Sequence, residues 1–152
     1  MHITVNEDNE FLDKYYAAFP RIKEYRDEVL KDAREKGYVR TLMNRKRKID
    51  EINSSQYVVR IQGDRMALNT PIQGTAADIL KKAMIDIYNE FNKLKIKSKM
   101  ILQIHDELIF NVEKGEEDKV KEIVINKMEN AYKLSVPLKV DAVFGKNLYD
   151  AK

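Results

Sequence analysis

The sequence predicts an α+β fold: an antiparallel sheet with a central hairpin packed on helices, preceded by further helices and a basic hairpin. Three observations lead there. Apolar residues recur at helical spacing from Ile72 to Leu94, wide enough to face a core. Two short β-like runs, Lys99–Ile104 and Leu108–Val112, flank a polar break, which reads as a tight hairpin. A second helical stripe and an alternating run follow, so helices and hairpin segregate as they do in α+β folds.

The elements can be justified in chain order. The first ten residues read as an entry segment, and Glu10 to Ala18 looks helical. A second helix opens at Pro20, carries Ile22, Tyr25 and Val29 on one face, and stops at Gly37. A strand and turn around Arg40–Lys48 form the basic hairpin. Asn53 or Ser54 can cap a third helix running toward Asn69, whose interior Gly63 costs about 1 kcal/mol relative to Ala and so implies crowding or a bend. Thr70, Pro71 and Gln73 then read as the start of a fourth helix: Thr as cap, Pro at the first position, and Gln closing a Thr-x-x-Gln box. On that reading Gly74 is a close packing contact. The fourth helix carries Ile72, Ala76, Ile79, Leu80, Ala83, Met84, Ile87, Phe91 and Leu94 as its core stripe. After the central hairpin, Glu116, Glu117 and Asp118 suit the N-terminus of a fifth helix, with Val120, Ile123, Val124, Met128 and Ala131 on its apolar side. Leu138, Val140 and Ala142 alternate as a last strand.

Composition narrows the function classes. At 152 residues there is room for one modest domain or parts of two. With 43% hydrophobic and 35% charged residues the chain reads as folded rather than disordered. No apolar run approaches the ~20 residues of a membrane span, so no membrane partner is expected. The N-terminus has no signal-peptide pattern. The absence of cysteine excludes disulfides and thiolate metal sites, and fits a cytoplasmic protein. A net charge of +3 identifies nothing alone, but seven basic residues and one acidic residue lie between Arg34 and Lys48. Such a loop either attracts phosphate backbones or is a solvated charge run.

The chemistry concentrates in Gln103-Ile104-His105-Asp106-Glu107-Leu108. A hairpin tip lets carboxylates leave an apolar sheet and meet solvent, a metal ion or a phosphate. Magnesium takes hard oxygen ligands, often one or two carboxylates completed by substrate phosphates. Asp is also a common turn residue, so this pair alone does not separate a metal site from a solvated turn. A histidine-rich metal site, or a His-Asp phosphohydrolase, is disfavoured because the only other histidine is His2.

Further motifs stand in order along the chain: Phe19-Pro20-Arg21-Ile22, Gly37-Tyr38-Val39-Arg40-Thr41-Leu42, Asp64 through Asp78 with its Gln73-Gly74-Thr75-Ala76-Ala77 centre, Tyr132 through Leu138, and Gly145-Lys146-Asn147-Leu148-Tyr149. Together with Gln103–Leu108 they make the chain, from about Phe11 to Lys152, closely resemble the C-terminal polymerase core of the family A (polymerase I-like) DNA polymerases. The resemblance implies residues 1–52 as the remaining C-terminal part of the fingers and 53–152 as the C-terminal part of the palm. It implies template-directed nucleotidyl transfer from a dNTP to a primer 3′-hydroxyl, with Mg2+ in a two-metal site only partly present here. Asp106 is then an essential metal ligand, Glu107 assists the metal or the primer end, and His105 contacts the primer terminus. Arg65, Asn69 and Gln73 match residues along the minor-groove side of primer–template DNA, where all correct base pairs share acceptors. Their structural readings are a surface ion pair for Arg65 and caps for Asn69 and Gln73. Pro71 implies a break between the last two.

Arg45 and Arg47 match arginines of a Gly-Arg-Arg-Arg pattern that approaches nucleic acid, with Asn44 in place of the Gly and Lys46 in place of the middle Arg. Asn tolerates the left-handed backbone that Gly supplies, so the turn can survive. Lys46 keeps the charge without bidentate geometry. The partner catalytic Asp segment and the dNTP-binding helix of the family do not precede Phe11. The sequence therefore reads as a piece of a polymerase missing its N-terminal part, inactive alone. The alternative is a non-catalytic DNA-binding module.

Overall fold

The structure, a computed structural model, describes residues 5–151. Its elements are α1 (Val5–Ala18), α2 (Pro20–Lys36), β1 (Tyr38–Arg40), β2 (Lys46–Lys48), a 3-10 turn (Asp50–Asn53), α3 (Tyr57–Lys93), β3 (Lys99–Ile104), β4 (Glu107–Asn111) and α4 (Glu117–Glu129). The α+β class is as expected. The two sheets are both two-stranded antiparallel hairpins, β1–β2 and β3–β4. The chain divides into two compact units, Met1–Thr75 and Ala76–Lys152. Among the described residues no helix is long and apolar enough to cross a membrane.

In the first unit, α1 starts at Val5 rather than Glu10. Pro20 sits in the first turn of α2, and Gly37 ends that helix in a left-handed conformation (φ 72°), its N–H returning to Ala33 O at 2.8 Å. The expected face of α2 is displaced. Ile22 and Tyr25 are exposed, whereas Leu30 and Ala33 join Val39, Ile49, Ile52 and Ala67 in a core that Val29, Met66 and Leu68 flank. That cluster meets only the C-terminal part of α2. Arg34 reaches Asp64 with one nitrogen at 2.7 and 2.9 Å to the two carboxylate oxygens, joining α2 to α3. Gly63 is crowded as expected: a Cβ there would lie 2.8 Å from Ile52 N and 2.9 Å from the Glu51 carbonyl carbon.

The expected break at Pro71 does not occur. One helix, α3, runs from Tyr57 to Lys93 with Pro71 inside it. Thr70 is not a cap. Its buried hydroxyl donates to Met66 O at 2.6 Å. Nor does Asn53 or Ser54 cap the start. Asn53 donates to Arg34 O, Ser54 Oγ accepts from Gln56 N–H, and the first helical bond runs from Arg60 N–H to Gln56 O. Ile72, Ala76 and Leu94, expected in the core stripe, are exposed, whereas Leu80, Ala83, Ile87 and Phe91 of the same stripe are buried.

In the second unit Ile87 and Phe91 of α3 pack with Val120 and Val124 of α4, and Met100, Leu108, Phe110 and Val112 of the β3–β4 hairpin cover them. The rings of Phe91 and Phe110 lie 6.0 Å apart in a tilted contact. α3 closes in a Schellman arrangement: Ile96 N–H bonds Phe91 O at 2.9 Å and Lys95 N–H bonds Asn92 O at 3.2 Å, with Lys95 at φ 55°. Glu116 stands at the N-cap of α4, with Glu117 and Asp118 in the first turn as expected, but its side chain makes no capping bond. Its carboxylate accepts the N–H groups of Lys97 and Ser98 and the Ser98 hydroxyl instead. Leu138, Val140 and Ala142 alternate in burial with Lys139 and Asp141 as expected, yet they form no strand. Val140 N–H is bonded to Glu129 Oε1 at 3.2 Å rather than to a ladder partner.

Candidate catalytic hairpin and nucleic-acid interface

The β3–β4 hairpin pairs Gln103 with Leu108 and Ile104 with Glu107, so its turn is the two residues His105 and Asp106. The polar pair at the break is thus His105-Asp106, and Glu107 opens β4 instead of sharing the turn. His105 carries φ 54°. Primed hairpin turns need a positive φ at their first central position, and His is among the few non-glycine residues enriched there. The Gln103 side-chain amide donates to His105 O at 3.0 Å, stiffening the turn. A register shift between Met100 and Leu102 leaves Ile101 out of the ladder and 60% exposed. That bulge separates the inward-facing base of the hairpin from an exposed tip.

His105, Asp106 and Glu107 are all exposed. Among the described residues no group of three or more His, Asp or Glu side chains converges as a metal site. The donor set is therefore two neighbouring carboxylates from one segment. This suits magnesium, which keeps waters and takes further oxygens from phosphates, but it is not a complete protein cage. The hairpin is fastened at its base. Ser98 Oγ accepts Glu113 N–H at 2.9 Å and donates to Glu116 at 2.7 Å. The bonds from Lys97 N–H, then from Ser98, hold the Glu116 carboxyl below its ordinary value of 4.5.

The second set of residues lies on α3. Because the helix continues through Pro71, Arg65, Asn69 and Gln73 stand on one exposed face, with four-residue spacing between neighbours. Each step turns the row by about 40° and advances it by about 6 Å. With no helix end at Thr70, Asn69 and Gln73 have nothing to cap, so that explanation for their amides is removed.

The basic hairpin belongs to the same unit as this row. Asn44 takes the left-handed conformation expected of it, φ 67°. Arg45 Nη2 donates to Gly74 O at 3.0 Å, and Arg47 Nη1 donates to Thr70 Oγ1 at 3.0 Å, while both residues stay exposed. Gly74 is the close contact expected: a Cβ there would lie 2.8 Å from Thr41 Cγ2 and 3.2 Å from Arg45 Nη2. The ammonium of Lys46 lies 3.7 Å from the Tyr38 ring centre. The Arg40 hydrogen bond, together with its charge, lowers the Tyr38 hydroxyl below its usual range. A cleft of about 550 Å³ beside them is lined by Lys36, Tyr38, Lys46 and Lys48. Sequence reasoning missed Thr41 and Thr75 and read Thr70 as a cap, whereas all three lie where the hairpin contacts the helix. Their only signal is a pair of threonines close to a helical proline.

Residues 1–150 match DNA polymerase family A. The chain is 45% identical over its whole length to DNA polymerase I of Geobacillus stearothermophilus, and 48% identical over 99% of its length to DNA polymerase I of Caldicellulosiruptor bescii. It spans only 17% and 18% of those relatives. Among solved structures, the POL domain of Pol1 from M. smegmatis, in complex with DNA primer-template and dNTP, matches 98% of this chain and 26% of its own, with a TM-score of 0.93 and 38% identity. A family match over nearly the whole chain, with motifs in order and a shared fold, is decisive: the chain belongs to DNA polymerase family A.

Proposed function

We propose that the chain supplies part of the active site of a template-directed DNA polymerase: the primer-side face of α3 and one of the carboxylate segments for nucleotidyl transfer. Residues 1–52 are assigned to the fingers and 53–152 to the palm. The observation that carries this reading is the separation of tasks within the chain. An exposed row of one guanidinium and two amides lies on a continuous helix, while exposed carboxylates stand at the end of a firmly based hairpin.

Each residue has a stated role. Arg65, Asn69 and Gln73 present donors to minor-groove acceptors that all correct pairs share, and so test pair geometry without reading sequence. Arg45 and Arg47 add phosphate contacts through guanidinium donors, five to each group, beyond those turned toward α3. Asp106 and Glu107 would hold Mg2+ together with phosphate oxygens and a carboxylate from elsewhere in the polymerase. The ion, when bound, supplies charge stabilisation at the attacking and leaving oxygens. His105, at the tightest point of the turn, orients the primer terminus beside them.

The test is replacement. A chimera of the Geobacillus stearothermophilus polymerase carrying these 152 residues in place of its matching segment should extend a primer with magnesium and four nucleotides. The 152-residue chain alone should give no extension above a matched blank, since its carboxylates come from one segment. A folded but inactive chimera, or robust extension by the purified chain alone, would overturn the proposal. A chimera that folds and binds primer–template DNA but does not extend it when magnesium and four nucleotides are supplied would favour a non-catalytic DNA-binding module.

A further inference from the structure

Pro71 poses a physical problem that the fold solves in an unusual place. Lacking an N–H, it cannot bond the Ala67 carbonyl, and its ring crowds that carbonyl, which ordinarily kinks a helix. Here the helix carries on. Two threonine hydroxyls lie on either side of the missing bond. Thr70 Oγ1 donates to Met66 O at 2.6 Å, and Thr75 Oγ1 donates to Pro71 O. Such back-bonding on its own slightly weakens and bends helices, so it cannot be the whole account. Each hydroxyl also accepts a hydrogen bond from the β1–β2 hairpin. Arg47 Nη1 reaches Thr70 Oγ1 at 3.0 Å, and Leu42 N–H reaches Thr75 Oγ1 at 2.9 Å. Both threonines are nearly inaccessible, at 4% and 6% exposure, so these hydroxyls exchange little with water. Thr41 turns the hairpin against Gly74, where the missing side chain admits its methyl group.

We infer that Thr70 and Thr75 are positioning residues: they brace α3 across Pro71 against the basic hairpin, and so hold Arg65, Asn69 and Gln73 in one row. The inference rests on the proposed interface and adds the device that aligns it. Asn69 precedes the proline and Gln73 follows it. A kink there would rotate Gln73 away from Asn69 while leaving both exposed, and the row would lose its common line without any loss of charge.

The experiment uses the 152-residue chain and a primer–template duplex labelled for anisotropy. Thr70→Val and Thr75→Val remove the hydroxyls and keep the shape. Thr70→Ser and Thr75→Ser keep the hydroxyls. Each Val variant should bind roughly fivefold more weakly, the size expected for a hydrogen bond lost. The slope of log affinity against log salt should stay unchanged, because no phosphate contact is removed. Amide exchange at Leu42 and along residues 67–75 should quicken in the Val variants, and the Ser variants should restore both readouts. Faster exchange with unchanged affinity would overturn the positioning role. A reduced salt slope would also overturn it, since that would make the effect one of charge. If a Val variant fails to fold, the Ser variant of the same position, which lacks only the methyl, must still bind as the parent does. A Ser variant that folds but binds weakly contradicts the inference. Replacing Arg65, Asn69 and Gln73 together by Ala separates the two readings: unchanged affinity there refutes the interface itself, whatever the threonines do.

Discussion

The β1–β2 hairpin turns through Thr41–Arg45 and fastens that turn to α3, whereas the β3–β4 hairpin turns in two residues, His105 and Asp106, and leaves its turn in solvent. In the first, Leu42 N–H, Arg45 and Arg47 all bond acceptors on the helix. In the second, the polar fastening lies at the other end, where Ser98 and Glu116 tie the strands' base to the start of α4. The difference fits the tasks proposed for the two tips. A hairpin that braces a helix gains from tying its tip down, because the tip is the brace. On the proposed reading, a hairpin that presents carboxylates to an ion and to phosphates keeps those carboxylates in solvent and takes its rigidity from its base, its core and the Gln103–His105 bond within the turn. The bulge at Ile101 marks the transition between those two regimes on β3.

Substitutions at the two hairpins should differ in size, the largest effect being expected at the exposed β3–β4 tip. In the active chimera, Asp106→Asn keeps the shape of a good turn residue and removes the charge. Single-turnover extension should fall by orders of magnitude, since metal stabilisation of the transition state contributes several kcal/mol and each ~1.4 kcal/mol is tenfold. Glu107→Gln should be milder, and circular dichroism should show both variants folded. Next in size is the packing beside the braced hairpin. Gly63→Ala would force a methyl into the backbone of Glu51 and Ile52. Denaturant unfolding should show a loss of about 1–3 kcal/mol, even though Ala is the better helix former.

Neutralising Arg45, Lys46, Arg47 and Lys48 together should weaken DNA binding and flatten its salt dependence. An unchanged slope would mean that the braced hairpin does not face the phosphates. Smaller effects concern backbone strain. Lys95 and His105 both hold positive φ, a conformation that costs a non-glycine residue roughly 1 kcal/mol. Lys95→Gly should raise stability by about that much with no effect on extension in the chimera. His105→Gly should likewise stabilise the hairpin while lowering extension, if its imidazole serves the primer terminus.

The smallest effect is a pH dependence. The Glu116 carboxyl is held below 4.5 by the Lys97 N–H and by Ser98. Its contribution to stability is therefore fully present above the unfolded value and is lost as pH falls through the folded one. Below pH 4.5 the parent should lose stability more steeply than Glu116→Gln in parallel urea titrations; equal slopes would show that the base of the free hairpin is not tied there.

How legible all this was in the sequence depends on how local the cause is. Gly37 as a helix stop, Asn44 in a left-handed turn and the α4 stripe each follow from a few neighbouring residues, and each stands where expected. The same holds for crowding at Gly63 and Gly74. Thr70-Pro71-x-Gln73 misled because its local chemistry does suit a helix start. What overrides it is a hairpin some thirty residues earlier, whose Leu42 N–H and Arg47 reach the two threonines. Leu138–Ala142 shows the complementary failure. Its alternation was legible, but a strand also needs a ladder partner, and Val140 bonds a glutamate side chain instead. For the candidate site, the residues to propose were legible and their alignment was not. The row at 65, 69 and 73 stands together only because α3 survives its proline.

If binding resides on α3 and chemistry at the β3–β4 tip, as proposed, one titration series separates the two. Primer–template affinity would be measured for the chimera, for its Asp106→Asn variant and for its Arg65→Ala/Asn69→Ala/Gln73→Ala variant at one salt concentration. Affinity should stay within about twofold of the parent for Asp106→Asn and fall by about a hundredfold for the triple variant, as three lost polar contacts of ~1 kcal/mol each imply. The reverse order, with the carboxylate governing affinity and the row dispensable, would contradict that division.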